Sequence, residues 1–479
     1  MLTDLTFLDP GQKFPPPCES ERLTTYAENR KLFEGDHAEI YAKQLQRIDR
    51  VIGNFGDVVN FAVVMNFQKI MSLKIADLLI GEAPKISAGD PDSAEQVSVD
   101  WIIERSDLIN TAYMAGIDVS RYGDGIFYVR KEANQGIIDI TQPGMWFPVV
   151  SPDNVKLIMN HVLAWTYETK SGNTKQKWLK ALVHYKGYYE QRIYRMTNDT
   201  ITALESSDRI ILGINDFAVI PVPNIITSDR VTGMDDYKDI DSIVSELMVR
   251  IGQVDRILDK HADPSMQGPP SALERDTTTG QWRLKSGSYF VVDNEAGQTS
   301  EVKYLTWDGQ LTAAFMMIEK LTNILYTISE MGSAIFGDMA GSAGAAPSGT
   351  ALRRLMISPL AKVNRIRMRF DRALKKAIDL CSQLGGPNIV SLANVDISIK
   401  WQDGLPSDPL EEAGIIEKRT GGVATMSKRR VLQIYDGMSD KDADEELDQI
   451  ETEEMSSTPT TVPKVGGTDF PPETEGGEA

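Results

Sequence analysis

Two stretches of helical period, 234–261 and 311–335, bracket a proline-interrupted insertion at 263–308. In the first, Ile240, Val244, Leu247, Ile251, Val254 and Leu258 are spaced alternately by four and three residues. That is the narrow apolar seam of a helix packed among similar helices. Charged residues fill the gaps, among them Asp239, Glu246, Arg250 and Asp255. The same seam also suits a helix in the core of one domain, and the residues alone leave both readings open. In the second stretch Leu311, Phe315, Ile318, Leu321, Leu325 and Ile328 share one side. Pro264, Pro269 and Pro270 enter the insertion, where 282–284, 288–293 and 302–307 alternate as strands. Two long helices around a small β-rich tip form a stalk, which carries no catalytic signal.

Before the stalk the period changes once. Residues 1–20 are proline-rich and irregular. Helices are expected at 21–50, at 58–80 with Val59, Val63, Phe67, Ile70 and Leu73 on one face, and at 94–117. From Gly125 short strands follow at 126–130, 136–140, 145–150, 155–158, 162–168, 177–185, 188–195 and 210–212. Strands without interleaved helices make an antiparallel meander, so a dinucleotide-binding α/β fold is excluded. Pro221 and Pro223 close that region. A strand at 395–401, an acidic helical stretch at 408–454 and a Pro-, Gly-, Thr- and Glu-rich tail at 456–479 end the chain. The tail has the composition of a disordered segment.

Net charge is −19 over 479 residues, which favours solubility over tight binding to phosphates. Yet the helix expected from about 350 to 384 reverses the sign. As far as Lys376 it carries Arg353, Arg354, Lys362, Arg365, Arg367, Arg369, Arg372, Lys375 and Lys376 against Asp371. Pro359 lies inside its apolar period and predicts a kink there. Ahead of it runs a loop of tiny residues, 337–349, which includes Gly337, Asp338, Met339, Gly341, Ser342, Gly344, Pro347, Ser348 and Gly349.

Enzyme chemistries find no support in these residues. The loop approaches a phosphate-binding pattern, but Thr350 stands where such a loop needs lysine, and it follows a helix instead of a strand. His37, His161, His184 and His261 are scattered, and Cys18 and Cys381 are the only cysteines, so no metal spacing, cofactor motif or disulfide framework emerges. His161 and His184 read as ordinary strand residues. The adjacent acids Asp235 and Asp236 diverge on a helix and read as favourable charges at a helix start. No apolar run reaches membrane-spanning length, and the first residues lack a signal-peptide pattern.

Several runs in fixed order carry a resemblance: NRKLFEG from Asn29, WFPVVSPDN from Trp146, SDRVTGMDD from Ser228, ISEMG from Ile328 and PSGTALRRL from Pro347. Over about 20–430 the chain resembles the portal proteins of tailed bacteriophages, of the siphophage type. The resemblance implies an α+β portal fold forming a ring, usually of twelve subunits, at one capsid vertex of the virion and assembled in the bacterial cytoplasm. It implies a β-rich wing at 1–230 and 350–403, stem helices at 231–262 and 309–335, a clip at 263–308 and a helical crown at 404–455. The loop 337–349 becomes a tunnel loop against double-stranded DNA, and the stem seam from Ile240 to Leu258 a subunit interface. The clip residues Trp282, Arg283, Tyr289, Phe290 and Trp307 would dock the terminase motor and head-tail adaptors. Major capsid and scaffolding proteins are further implied partners, with no cofactor, no metal and no membrane. The cations Arg354, Lys362, Arg365, Arg369, Arg372 and Lys376 are expected to pair with acids of neighbouring subunits in preference to phosphates.

Overall fold

The computed structural model of the chain describes residues 1–52, 63–171, 174–262, 266–269, 274–275, 282–283, 289–292, 301–304, 311–337, 353–387, 389–402, 409–421, 424–435, 438 and 440–457. The first part is helical: α1 (Ser20–Glu34), α2 (His37–Ile40), α3 (Ala42–Ile52) and α4 (Phe67–Ile80), then strand β1 (Lys85–Ala88), α5 (Ala94–Arg105) and α6 (Leu108–Tyr122). The Asn66 side chain accepts from the Lys69 amide at 3.1 Å, so α4 starts at Phe67, while the expected start at 58, with Val59, lies outside the described residues. Its buried face is Phe67, Met71, Ile75, Leu78 and Leu79, while Val63 and Ile70 are exposed. A period counted from before the cap runs out of phase with the real helix. The single helix expected over 94–117 is likewise divided, at Asp107, whose φ is 43°.

Eight strands follow: β2 (Asp124–Glu132), β3 (Gln135–Thr141), β4 (Trp146–Ser151), β5 (Asn154–Ser171), β6 (Thr174–Tyr185), β7 (Tyr188–Thr197), β8 (Thr200–Ile211) and β9 (Val219–Pro223). The meander β4-β5-β6-β7-β8 forms one sheet, and β3-β2-β9 forms another. The segments expected at 155–158 and 162–168 are one strand, whose register against β4 shifts at Val149–Val150. β9 was hidden by Pro221 and Pro223; it is an edge strand, where a missing amide donor is tolerated. Leu2, Phe7, Leu8 and Phe14 cover one face of the meander. Ile126, Trp146, Leu163, Leu182 and Val219 join the two sheets. His161 and His184 oppose each other in that junction, and burial pushes each down to about 3, so both stay neutral filler.

Beyond the sheets run α7 (Asp241–Ala262), the short strands β10 (Met266–Gly268), β11 (Glu274–Arg275), β12 (Trp282–Arg283), β13 (Tyr289–Val291) and β14 (Lys303–Tyr304), and then α8 (Leu311–Ile328). The tip pairs β13-β10-β14 and β11-β12. Helix α9 (Ile357–Gln383) returns through the main core, where Phe370 meets Phe127 edge-on at 5.6 Å. Helical residues 353–355 break at Met356, and Pro359 sits in the first turn of α9, where its missing N–H has no intrahelical partner to lose, so the expected kink takes the form of a break just ahead of the proline. Strand β15 (Ile397–Lys400) pairs antiparallel with β1. The Gln96 carboxamide accepts from Ala88 N at 2.8 Å and donates to Ile86 O at 3.3 Å, occupying the other edge of β1.

Residues 406–479 form a second unit. It holds α10 (Pro409–Thr420), α11 (Lys428–Ile434) and α12 (Asp440–Ser457). Arg429 pairs with Asp444 at 2.7 Å, and Val431 and Ala443 are buried. The tail from 458 lies outside the described residues.

Gly136 packs against the C-terminal end of α9, its amide donating to the Gly385 carbonyl just beyond the helix at 2.9 Å. A methyl there would stand 2.3 Å from the Cys381 carbonyl oxygen, within backbone that cannot yield cheaply. Gly136→Ala is expected to cost roughly 1–3 kcal/mol in denaturant unfolding. Gly144→Ala, whose nearest neighbour would be 3.8 Å away, is the matched control with no such loss.

Candidate functional site: the loop anchors and the base of the paired helices

Of the expected tunnel loop only Gly337 is described; Asp338, Met339, Gly341, Ser342, Gly344, Pro347, Ser348 and Gly349 lie outside the described residues. Its two ends are well defined. Helix α8 stops at Ile328, short of the expected 335, because Glu330 and Gly332 turn left-handed at φ 60° and 66°. A short 3₁₀ turn, Ala334–Phe336, follows. Phe336 stacks on Tyr326 at 5.3 Å and lies 5.0 Å from Phe67, so one end of the loop is pinned between α8 and α4. At the other end Met356 is buried and leads into α9.

Lys362, one turn into α9, holds the second anchor. Its Nζ lies 2.9 Å from Asp236 Oδ1 and donates to the Ser329 carbonyl at 3.0 Å. Both side chains are almost wholly buried, at 8% and 2% exposure. One ammonium thus ties the end of α8, the start of α9 and the segment leading into α7. Asp235 and Asp236 were expected to start a helix, but α7 begins at Asp241. Asp235 instead accepts from the Tyr237 and Lys238 amides, both at 3.0 Å, in a tight turn.

Most of the other α9 cations also find partners inside this chain. Arg365 pairs with Glu330, and Lys376 with Asp216 at 2.7 Å. Lys375 pairs with Asp371 at 2.9 Å. Arg369 donates to the Asn224 carbonyl, and Arg367 to the Leu78 and Gln402 carbonyls at 3.0 and 2.8 Å. Lys362, Arg365 and Lys376, expected to pair across subunits, thus have acids within their own chain, at Asp236, Glu330 and Asp216, which lie far away in sequence and are invisible to a count along the helix. Arg354 and Arg372 are exposed.

Further buried carboxylates fix the same joint. Asp124 accepts from the Gly233 amide at 2.9 Å and from the Tyr26 hydroxyl at 3.2 Å. Asp241 accepts from Tyr41 and from Gln68, each at 3.0 Å. Burial pushes both up to about 6, the hydrogen bonds offsetting only part of it. A cavity of about 600 Å³ opens between α1 and residues 230–241, lined by Arg22, Tyr26, Asn29, Asp235 and Lys238 among others. Among the described residues no group of three or more His, Cys, Asp or Glu is arranged to hold a metal.

The stem seam divides in two. Ile240, Val244 and Leu247 are fully buried in this chain's own core, and Val254 nearly so, whereas Leu258 is half exposed. Ile251 is partly buried. Near the base, then, the seam is core; only the far end is open. In the tip Phe290 is exposed, Trp282 and Arg283 form β12, Tyr289 opens β13, and Trp307 lies outside the described residues.

The sequence matches the family model described as "Phage portal protein, SPP1 Gp6-like" over residues 13–460. No curated protein sequence matches the chain. Among solved structures it is similar to a chain in the neck of an empty gene transfer agent particle computed with C6 symmetry, at 13% identity and TM-score 0.45, covering 76% of this chain and 89% of that one. A chain in the neck of the native particle computed with C12 symmetry gives 12% identity and TM-score 0.43, covering 76% and 88%.

Two outcomes test the joint. Lys362→Met strands the Asp236 carboxylate in the core and is expected to cost roughly 3–5 kcal/mol, most of it recovered in Lys362→Met/Asp236→Leu, as read by chemical denaturation. The second concerns pH. Because the folded-state value of Asp124 lies above its ordinary 3.8, the native state binds the proton more tightly than the unfolded chain. Acidifying from pH 7 to pH 5 should therefore stabilise the wild type relative to Asp124→Asn by roughly 1 kcal/mol; parallel pH profiles would exclude it.

Proposed function

This chain belongs to the phage portal protein family, and we propose that it acts as one subunit of a twelve-membered ring through which double-stranded DNA is packaged and ejected. As a portal protein its place is the capsid vertex of the virion. The observation that carries the ring is on α8. Phe315, Met316, Met317, Ile324 and Ile328 are all exposed on this helix, and Leu258 is exposed near the end of α7. Exposed apolar surface of that extent on an isolated subunit marks a surface that another molecule covers, and in a closed ring the neighbour is an identical copy. The interface thus shifts from the α7 base, which the chain's own core consumes, to α8 and the outer end of α7.

In this reading the loop beyond Gly337 is the moving contact with DNA. Its small side chains make no fixed grip on phosphates, while Phe336 and Lys362 hold its ends still. Helix α9 is the brace, most of its cations engaged inside the subunit and only Arg372 of the described helix left exposed without a partner among the described residues. The tip between α7 and α8 is the docking site for the packaging motor and, later, for head-tail adaptors, with exposed Phe290, Val291, Val302 and Tyr304 as its apolar surface. The family is a structural one, and the chain is read as non-enzymatic, with ATP turnover belonging to the motor. Assembly takes place in the bacterial cytoplasm; no helix among the described residues is long and apolar enough to cross a membrane.

Phe315→Asp/Met316→Asp should leave the subunit folded by circular dichroism yet abolish rings in negative-stain images; intact rings would remove α8 from the interface. Leu247 cannot serve this test, since it is fully buried within the subunit. Deleting 341–347 should spare the rings but impair DNA packaging or retention. Phage with that deletion that package and hold DNA normally would rule out the loop's role.

A further inference from the structure

Helix α9 buries only part of its circumference. Val363, Ile366 and Phe370 point into the main core. On the opposite side Ile357, Ala361, Asn364, Met368 and Arg372 recur every three or four residues and are all exposed, so they form one open face about four turns long. Ile357 is 64% exposed and Met368 70%, as open as Met316 on α8 at 65%. Leu355, just ahead of the helix, is exposed too.

This face carries on from the open surface of α8. Arg365, at its border, pairs with Glu330 two residues past the end of α8. The Leu355 carbonyl oxygen would stand 3.9 Å from a Cβ on Gly332. The exposed end of α8, with Ile328, therefore leads onto the exposed start of α9, with Leu355 and Ile357. Area makes the same case. A half-open Phe or Met side chain offers on the order of 100 Å². The open apolar side chains of α8, with Leu258, thus fall short of the ~800 Å² per partner that a stable interface buries. Adding Leu355, Ile357 and Met368 brings that area within reach.

We infer that the exposed face of α9 is a second contact between copies of this chain, seated against the next subunit. The inference rests on the ring proposed above and adds a surface to it. Charge selects the occupant. Arg372 on the face and Arg354 ahead of it are exposed and have no partner among the described residues. A second copy carries net charge −19, so the surface it turns to them is rich in carboxylates. Glu319, exposed on α8 and likewise without a partner among the described residues, is one such group. A DNA backbone would leave Ile357 and Met368 open to water. Brace and contact are then two faces of one helix.

The test places Met368→Cys or Ile357→Cys in the full-length Cys18→Ser protein, whose remaining Cys381 is buried, and follows reaction with a maleimide. Leu157→Cys, exposed on β5, gives the reference rate in each state. Both α9 thiols should react readily in dissociated subunits and about tenfold or more slowly in assembled rings. Equal reaction in rings of normal appearance by negative stain overturns this contact and leaves the portal reading standing. Absence of rings from the unaltered chain removes both. Slow reaction already in dissociated subunits, or protection lost on deleting 341–347, would mean that the chain's own residues cover the face, and overturns it as well. Arg354→Glu/Arg372→Glu, folded by circular dichroism, should shift the assembly equilibrium about tenfold or more toward subunits. An unshifted equilibrium overturns the choice of an acidic second copy as occupant.

Discussion

A single buried ammonium organises the centre of this molecule. Lys362 has no water to solvate it, so it must keep both the Asp236 carboxylate and the Ser329 carbonyl within hydrogen-bond distance. Satisfying it fixes three segments that are far apart in sequence: the exit of α8, the entry of α9 and the turn that launches α7. An apolar side chain there would pack with less directional demand and would allow these segments to slide. The aromatic stack of Phe67, Tyr326 and Phe336 does the complementary work at the other loop end. Held at both ends by different physics, the intervening residues need no internal packing to begin and end in defined places.

The same joint explains why so much acid is buried there. Asp124, Asp235 and Asp241 all have their protonation raised by burial, which means each is held at some cost. Each accepts hydrogen bonds that an apolar residue could not take: the Gly233 amide, the 237 and 238 amides, and Tyr41 with Gln68. Gly233 itself has no room for a side chain, since a Cβ would lie 1.9 Å from the Gly123 carbonyl oxygen. The turn before α7 is therefore specified by backbone satisfaction more than by apolar packing. That suits a segment that must present a long helix at one angle.

How far this was legible in the sequence depends on the range of the interaction. The meander was readable because alternation and turn residues are local, and β9 was missed because prolines on an edge strand look like a turn. The α7 seam was seen, but periodicity reports that a face is apolar and not what covers it; Leu247 proved to be core and Leu258 open. The nine cations from Arg353 to Lys376 were conspicuous in and just before α9, whereas Glu330, Asp216 and Asp236, which pair with Arg365, Lys376 and Lys362, lie far from the helix in sequence. A reading confined to one helix could only send those charges outward. The family resemblance, resting on runs such as PSGTALRRL in fixed order, was legible throughout and agrees with the match over residues 13–460.

Neutralising α9 internally has a consequence for any DNA that passes nearby. With Lys362, Arg365, Lys375 and Lys376 paired and Arg367 and Arg369 donating to carbonyls, fewer cations of this basic stretch are free for a phosphate backbone than its sequence suggests, Arg354 and Arg372 remaining exposed. Affinity for DNA grows with the number of phosphates neutralised, and so does the friction of moving along it. Under the proposed function, a conduit would gain from cations that serve the fold and from a negative net charge, as −19 is here.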